Sequence, residues 1–444
     1  MLSKSKILLA MLYMAILWFI MAGITEIPGW IRDMVDFGSV NYLNIIIFSF
    51  VSVIWGIYLI KSDKGIKKGL KSINAFFIIF SFALFLFLEA IDAFYSGAGS
   101  KTVISLILNF FMLCILCSFT LFYFDTIDES LKFIIKPYIH ITLYIATTGV
   151  LCYLLTMVNI LDTNDWMSIN EKMKKAYEGQ GGTLLYSMPL YLTFMLVGSD
   201  IFSLFGFNII RISGLSYEPH IAALFTVPSL FMINYYFRDN ASAKRWSYLI
   251  IVTYLLFVAS VTSIVCLMLV LLLYSFKEYK VSVKRIFLIA IILLAVTQIP
   301  QLFYADQVEQ VTKIKPLLGK IDAYKTIMGW LLDPIINSHD LIGYGMFALR
   351  EVPTDIVNGN RGMIGLLYFY IFLMILAIIA IRYFFKSIPL SRDFGIFSLT
   401  IVYYILHSFK SQQLVFYFTF ASYIVIAFSF WVLYRDNIRP LKAL

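Results

Sequence analysis

The sequence predicts an all-α polytopic membrane protein of about 12 transmembrane helices, with a large external loop before the last three. Two observations carry this. Hydrophobic residues make up 61% of the 444 and charged residues only 14%, whereas soluble domains run near ~45–50% apolar and ~25% charged. The apolar residues also fall into roughly a dozen stretches near the ~20 residues that a helical span takes. An ordinary soluble enzyme, a disordered chain and a secreted disulfide scaffold are thereby excluded. Cys114, Cys117, Cys152 and Cys266 all lie inside apolar stretches. No βαβ pattern surrounds Cys114-x-x-Cys117, so its spacing does not point to a redox pair.

Taken in order, spans read at 7–24, 41–60, 73–95, 102–124 and 138–159, then at 219–237, 285–303, 363–381, 394–409 and 413–434. The first follows Lys4 and Lys6 like a signal peptide but lacks a small-residue cleavage site, so it reads as a retained helix. The stretch 246–276 is flanked by Lys244 and Arg245 on one side and by Lys277, Lys280, Lys284 and Arg285 on the other. Short basic loops stay in the cytoplasm, so this stretch must go up and return. Two legs of about 14 residues reach only ~21 Å each at 1.5 Å per residue. The turn at Ser260-Val-Thr-Ser263 is therefore expected below the outer surface, buried in protein or facing a watery cavity. The stretch 183–206 contains Pro189, Gly198, Asp200 and Gly206. A single crossing there would put Arg238, Lys244 and Arg245 outside, so it reads as a re-entrant or in-plane broken helix.

The net charge of +9 follows from topology and not from a nucleic-acid footprint. With both termini cytoplasmic, the inner segments hold 22 Lys/Arg against 8 Asp/Glu and the outer ones 13 against 18. The whole chain, 1–444, is then one transmembrane domain. Residues 160–218 form an external segment, and 304–362 a 59-residue external loop with six basic and seven acidic residues. The elaborated face is external, and the chain shows no internal repeat.

Two regions carry candidate chemistry. In Arg211-Ile-Ser-Gly-Leu-Ser-Tyr-Glu-Pro-His220, an Arg, a Glu and a His fall within ten residues before a span. Pro219 suits the first helical turn, and Glu218 the N-cap, where free amides favour a carboxylate. Capping and an interfacial Arg explain this motif structurally. The functional reading has Arg211 binding an anion and Glu218 facing a polar cavity. In the large loop, His339 and Asp340 are acid–base candidates ahead of Gly343-Tyr-Gly345, and Arg350 and Arg361 suit two-pronged contacts to phosphate. A solvated loop with surface ion pairs is the plain alternative. His140 and His407 read as structural, and Glu89 and Asp92 as cavity-lining or interfacial. There is no phosphate-binding Gly-x-x-x-x-Gly-Lys-Ser/Thr loop, no paired-His zinc spacing and no Asp-x-Asp pair. The expectation is no metal, no cofactor and a lipid-borne substrate handled outside.

Four features together resemble the bacterial O-antigen polymerases (Wzy type), within the wider polymerase and O-antigen ligase group. They are Arg211-x-x-Gly214 with Glu218-Pro219 at the mouth of a span, the apolar hairpin with Ser260, Thr262 and Ser263 at its turn, Ile342-Gly-Tyr-Gly345 in the late external loop, and Gly362-Met-Ile-Gly365 opening the next span. This chain departs from many relatives in having Ser263-Ile264 where they carry an Arg, and Val357-Asn358 where they carry His-Asn.

The resemblance implies a GT-C-like multi-pass protein of the bacterial inner membrane, with its active site facing the periplasm. It implies metal-independent, inverting transfer from a glycan on undecaprenyl pyrophosphate to a repeat unit on the same lipid. Under it, Arg211, Arg361 and then Arg350 bind the pyrophosphate, and Glu218, His339 and Asp340, in that order, are candidate bases. A chain-length regulator is a candidate protein partner, membrane lipid surrounds the chain, and no nucleic acid is involved. The alternatives are an O-antigen ligase acting on lipid A-core and a lipid-linked oligosaccharide flippase or other transporter.

Overall fold

The computed structural model describes residues 9–14, 16–17, 20, 72–95, 124–161, 167–168, 185–188, 193–197, 202–204, 207–209, 211–216, 219–279, 363–385, 392–408 and 418–438. These residues are mostly helical. The helices are α1 (Ile73–Tyr95), α2 (Ile127–Met157), α3 (Pro219–Tyr236), α4 (Ala241–Val258), α5 (Val261–Tyr279), α6 (Met363–Phe385), α7 (Arg392–Ser408) and α8 (Phe418–Ile438). Two of them, α1 and α2, have the length and apolar run needed to cross a membrane. The spans expected at 41–60 and 285–303 lie outside the described residues, as do 102–123 of the span expected at 102–124 and the loop 304–362.

α3 is the central pillar. It is buried nearly all round, from Pro219 through Ile233, as expected of a helix that is apolar on every side. It packs on α2, α4, α5 and α7. Pro228 lies in its middle and cannot donate to the carbonyl one turn earlier. Hydroxyls from three neighbouring helices bind carbonyls along α3: Tyr138 to Phe225, Tyr403 to Ala223 (3.3 Å) and Tyr248 to Leu230 (2.8 Å). Thr226 and Ser229 bond back to Ala222 (2.7 Å) and to Thr226 (2.6 Å). In an apolar surround such pairing matters, because an unmade buried hydrogen bond costs ~1–3 kcal/mol.

The outward faces of several helices are apolar. Phe76, Phe77, Phe80 and Phe87 project from α1, Leu249, Val252 and Leu256 from α4, and Met374, Ile378 and Ile381 from α6. Water-soluble monomers rarely expose contiguous apolar surface beyond a few hundred Å². These faces suit a hydrocarbon surround.

α2 starts eleven residues earlier than the expected span at 138. A capping box explains the early start: Glu129 N–H donates to Thr126 Oγ1 (3.2 Å) and Thr126 N–H to Glu129 Oε2 (3.4 Å). This satisfies two of the first turn's free amides and lets the helix run through Lys132 and Lys136.

The chain is not all-α. Residues 167–214 contain short antiparallel strands: β1 (Met167–Ser168), β2 (Leu185–Met188), β3 (Phe194–Val197), β4 (Phe202–Leu204), β5 (Phe207–Ile209) and β6 (Arg211–Gly214). β1, β2, β3 and β6 make a four-stranded sheet in that order, and β4 pairs with β5. The expected broken helix at 183–206 is therefore corrected to strands. Pro189, Gly198 and Gly206 cut the segment into runs too short for a helix but long enough for a strand, and Gly and Pro bound strands in this way.

The stretch 246–276 does break, at Ala259 and Ser260. Ala259 sits in the left-handed region at φ 47, and its N–H closes α4 on Leu255 O (3.1 Å). The legs are 18 and 19 residues long, not 14, so each reaches ~27–28 Å. The extra length comes from both outer ends: Asn240 Oδ1 caps α4 by accepting from Ala243 N–H (3.0 Å), so that it runs through Lys244 and Arg245, and α5 runs on through Lys277 to Tyr279. α4 and α5 both pack on α3, and α5 also packs on α7.

One end of the bundle is strongly polar. Asp436 Oδ atoms accept from Ser72 (2.6 Å) and Tyr383 (2.6 Å), and Asn74 donates to Tyr383 (2.8 Å). Arg435 donates to Tyr383 O (2.6 Å) and lies over the rings of Tyr383 and Trp431. Beside them Arg238 pairs with Asp128. The starts of α1 and α2 and the ends of α3, α6 and α8 thus meet at one end, while α3 begins at the other.

Candidate functional site

The site is built where the sheet hands over to α3. β6 is the sheet's outer strand and pairs with β3 in the register Leu196↔Arg211, Met195↔Ile212 and Phe194↔Gly214, with a bulge between Phe194 and Met195. The backbone of Arg211 is thereby held in a ladder. Behind it Ile212, Ser213, Leu215 and Ser216 are buried, because β6 packs on α2, α3 and α4.

Gly214 makes this packing possible. Its φ is +59, a conformation glycine adopts without a Cβ clash. A Cβ there would run into the Tyr254 hydroxyl of α4 and come within 2.7 Å of Ile145 in α2. Thr193 Oγ1 donates to Gly214 O (3.4 Å), and Ser216 N–H to Ser213 O (3.1 Å), which turns the chain toward the helix. α3 then begins at Pro219, as the sequence predicts from proline's fit to a first helical turn. The side chain of Arg211, and Glu218 altogether, lie outside the described residues, as do His339, Asp340, Arg350 and Arg361.

Around the start of α3 the structure gathers four residues from three helices and a turn. His220 is the second residue of α3 and is half-buried. Its ring stacks on that of His407 of α7, with centroids 6.3 Å apart and planes 18° from parallel. His407 is fully buried, and its Nε2 lies 2.9 Å from Ser263 Oγ of α5. Ser263 Oγ in turn donates to Ser260 Oγ (3.0 Å) in the break between α4 and α5. Ser260 and Ser263 are both buried, so protein satisfies this turn.

The sequence marks His407 as structural and gives no link between it and the turn. The turn serines and His407 are separated by over a hundred residues, and no local pattern joins them. His140 is elsewhere: its Nδ1 lies 2.9 Å from Tyr13 Oη, beside Lys136 on α2. Glu89, near the end of α1, is buried. Among the described residues no group of three His, Cys, Asp or Glu is placed to hold a metal ion. Cys152 and Cys266 are buried and are not joined in a disulfide.

Comparison with protein-family models, with curated proteins and with solved structures finds no match to this chain.

Proposed function

We propose that this chain is a membrane glycosyltransferase, a polysaccharide polymerase of the O-antigen type. It joins oligosaccharide repeat units carried on undecaprenyl pyrophosphate at the outer face of a bacterial inner membrane. The observation that supports this is the junction between β6 and α3. Arg211 sits in a fixed ladder register, the residues that follow it from Ile212 to Ser216 are buried, and a buried hairpin break and two histidines stand beside the helix start. An arginine in a strand that leads into the start of an apolar helix suits an anionic, lipid-borne substrate.

The acceptor hydroxyl attacks the donor's anomeric carbon with inversion, and the lipid pyrophosphate leaves. Arg211 binds that pyrophosphate and stabilises the charge it gains. Arg361 and Arg350 are the further cations, and Glu218, His339 and Asp340 are base candidates in the sequence. Pyrophosphate is a good leaving group, so a base adds modestly to the rate. No metal or cofactor takes part.

The test is purified protein with lipid-linked repeat units as sole substrate. A ladder of products is expected. Transfer only to added lipid A-core would identify a ligase, and movement of lipid-linked sugar across vesicles without new bonds would identify a transporter.

A further inference from the structure

We infer that α2 carries a site for one anionic phospholipid of the surrounding leaflet, with Lys136 and His140 on its phosphate headgroup and an acyl chain laid along the helix below them. The site stands apart from the polymerase reading. α2 has 31 residues and is one of the two helices fit to cross a membrane. At 1.5 Å per residue it is ~46 Å long, and a ~30 Å hydrocarbon core takes about 20 of its residues. Its uninterrupted apolar run begins after Lys136 and Pro137. Asp128, Glu129, Lys132 and Lys136 therefore stand at headgroup level, and His140 at the boundary. On the neighbouring α4, Trp246 is 63% exposed beside Arg245. It marks the same level, since Trp rings collect where headgroups meet hydrocarbon.

Lys136 is the cation left for a ligand. Lys132, one turn earlier, has its charge met by Asp128 (3.3 Å) and Asp239 (3.7 Å). Lys136 is exposed and makes no ion pair among the described residues; its ammonium lies 5.6 Å from the centre of the Tyr13 ring. Tyr13 Oη also lies 2.9 Å from Nδ1 of His140, which is exposed. Tyr236, at the end of α3, meets the same imidazole edge to face, with centroids 6.2 Å apart. Two rings from two other helical segments thus orient an exposed imidazole one turn from an exposed ammonium. With Tyr13 donating to Nδ1, the ring hydrogen is on Nε2. That nitrogen makes no hydrogen bond among the described residues and can donate to a phosphate oxygen.

The face below selects a lipid over a free phosphate. Tyr144, Leu151 and Leu154 are 47%, 52% and 50% exposed. At 3.6 residues per turn they share with Lys136 and His140 an arc of about 80° on α2. From Tyr144 to Leu154 this stripe runs ~15 Å, half the ~30 Å core and so one leaflet's depth. Cation and donor at headgroup level, then a leaflet-long apolar track on the same face, match the two ends of a phospholipid.

The experiment titrates the purified full chain in detergent with dioleoyl phosphatidylglycerol or phosphatidylcholine and reads bound lipid by native mass spectrometry. Wild type is expected to retain one phosphatidylglycerol in preference to phosphatidylcholine. Lys136→Gln should weaken it about fivefold, the usual share of one basic residue at an anionic membrane surface. His140→Phe, which keeps a ring but no nitrogen, should weaken it too. Lys132→Gln should leave it within about twofold, because that charge is already paired. Lys136→Met keeps the stem and serves if Lys136→Gln fails to fold. A phosphatidylglycerol with a diazirine on its chain should label α2 between Tyr144 and Leu154. Equal retention of the two lipids, an unchanged affinity in Lys136→Gln and His140→Phe, a loss in Lys132→Gln as large as in Lys136→Gln, or labelling confined to other helices overturns the assignment. Displacement of the lipid by an equal concentration of inorganic phosphate would show a phosphate site that ignores the chain, and overturns it as well.

Discussion

Asp128 and Arg238 face each other as a two-pronged ion pair, Nη1 to Oδ1 at 3.1 Å and Nη2 to Oδ2 at 2.8 Å. The pair ties the first turn of α2 to the chain just beyond α3. Tyr235 Oη donates to the same Oδ1 (2.6 Å), and Arg238 Nη1 reaches Tyr434 Oη on α8 (3.2 Å). Lys132 and Asp239 extend the cluster at 3.3 and 3.7 Å. The side chains of Asp128 and Arg238 are 21% and 28% exposed, so water screens them only in part. Arg238→Ala is expected to destabilise the protein by about 1.5–3 kcal/mol. Arg238→Lys should recover only part of this, because an ammonium lacks the planar fork. Unfolding midpoints in detergent check it; an Ala variant as stable as wild type would refute the clamp.

Gly214→Ala should destabilise the junction by about 1–3 kcal/mol. The added methyl meets Tyr254 and Ile145 at a backbone φ of +59. Tyr254→Ala in the same background should relieve the clash in part, so the two changes should be less than additive. Additive losses would mean that Gly214 matters only for its φ.

Tyr403→Phe removes a hydroxyl that donates to Ala223 O in the pillar helix. Leaving a buried carbonyl without that donor should cost about 1–3 kcal/mol. Protection of the Ala223 region against hydrogen exchange should fall, and an unchanged exchange pattern would show that the bond is dispensable.

Arg211→Ala should abolish polymer formation while the protein still inserts. Losing one such stabilising contact typically costs ~2.7–4 kcal/mol at the transition state, or about 10²–10³ in rate. Arg211→Lys should also be poor. If instead Arg211 only anchors the span, Lys, which reaches the interface equally well, restores long chains at equal protein level.

A single cysteine at position 320, introduced as Lys320→Cys, should react with an impermeant thiol reagent added outside intact spheroplasts. The basic excess of the inner segments predicts an external 304–362 loop, and an inaccessible thiol there would reverse the proposed topology.

Much of this molecule is legible in its residues. Runs of about 20 apolar side chains can satisfy their backbone in an apolar surround only as helices. The ends of α1 and the start of α3 therefore match the apolar limits at 73–95 and the proline at 219. The break in 246–276 is expected from its basic flanks, and it falls at Ala259 and Ser260, the first residue of the expected turn. Where the helices begin was harder to read at α2 and α4, because capping by Thr126, Glu129 and Asn240 carries a helix into charged sequence that hydropathy discards. The strands at 185–214 escaped because short apolar runs fit helix and strand alike until partners are known; pairing of β3 with β6 is a long-range choice. The same holds for the site. Arg211, Glu218 and His220 are neighbours in sequence and draw attention as a motif. That His407 and Ser263 stand beside His220 depends on α5 and α7 both packing on α3, and no local pattern encodes a contact between positions 144 residues apart.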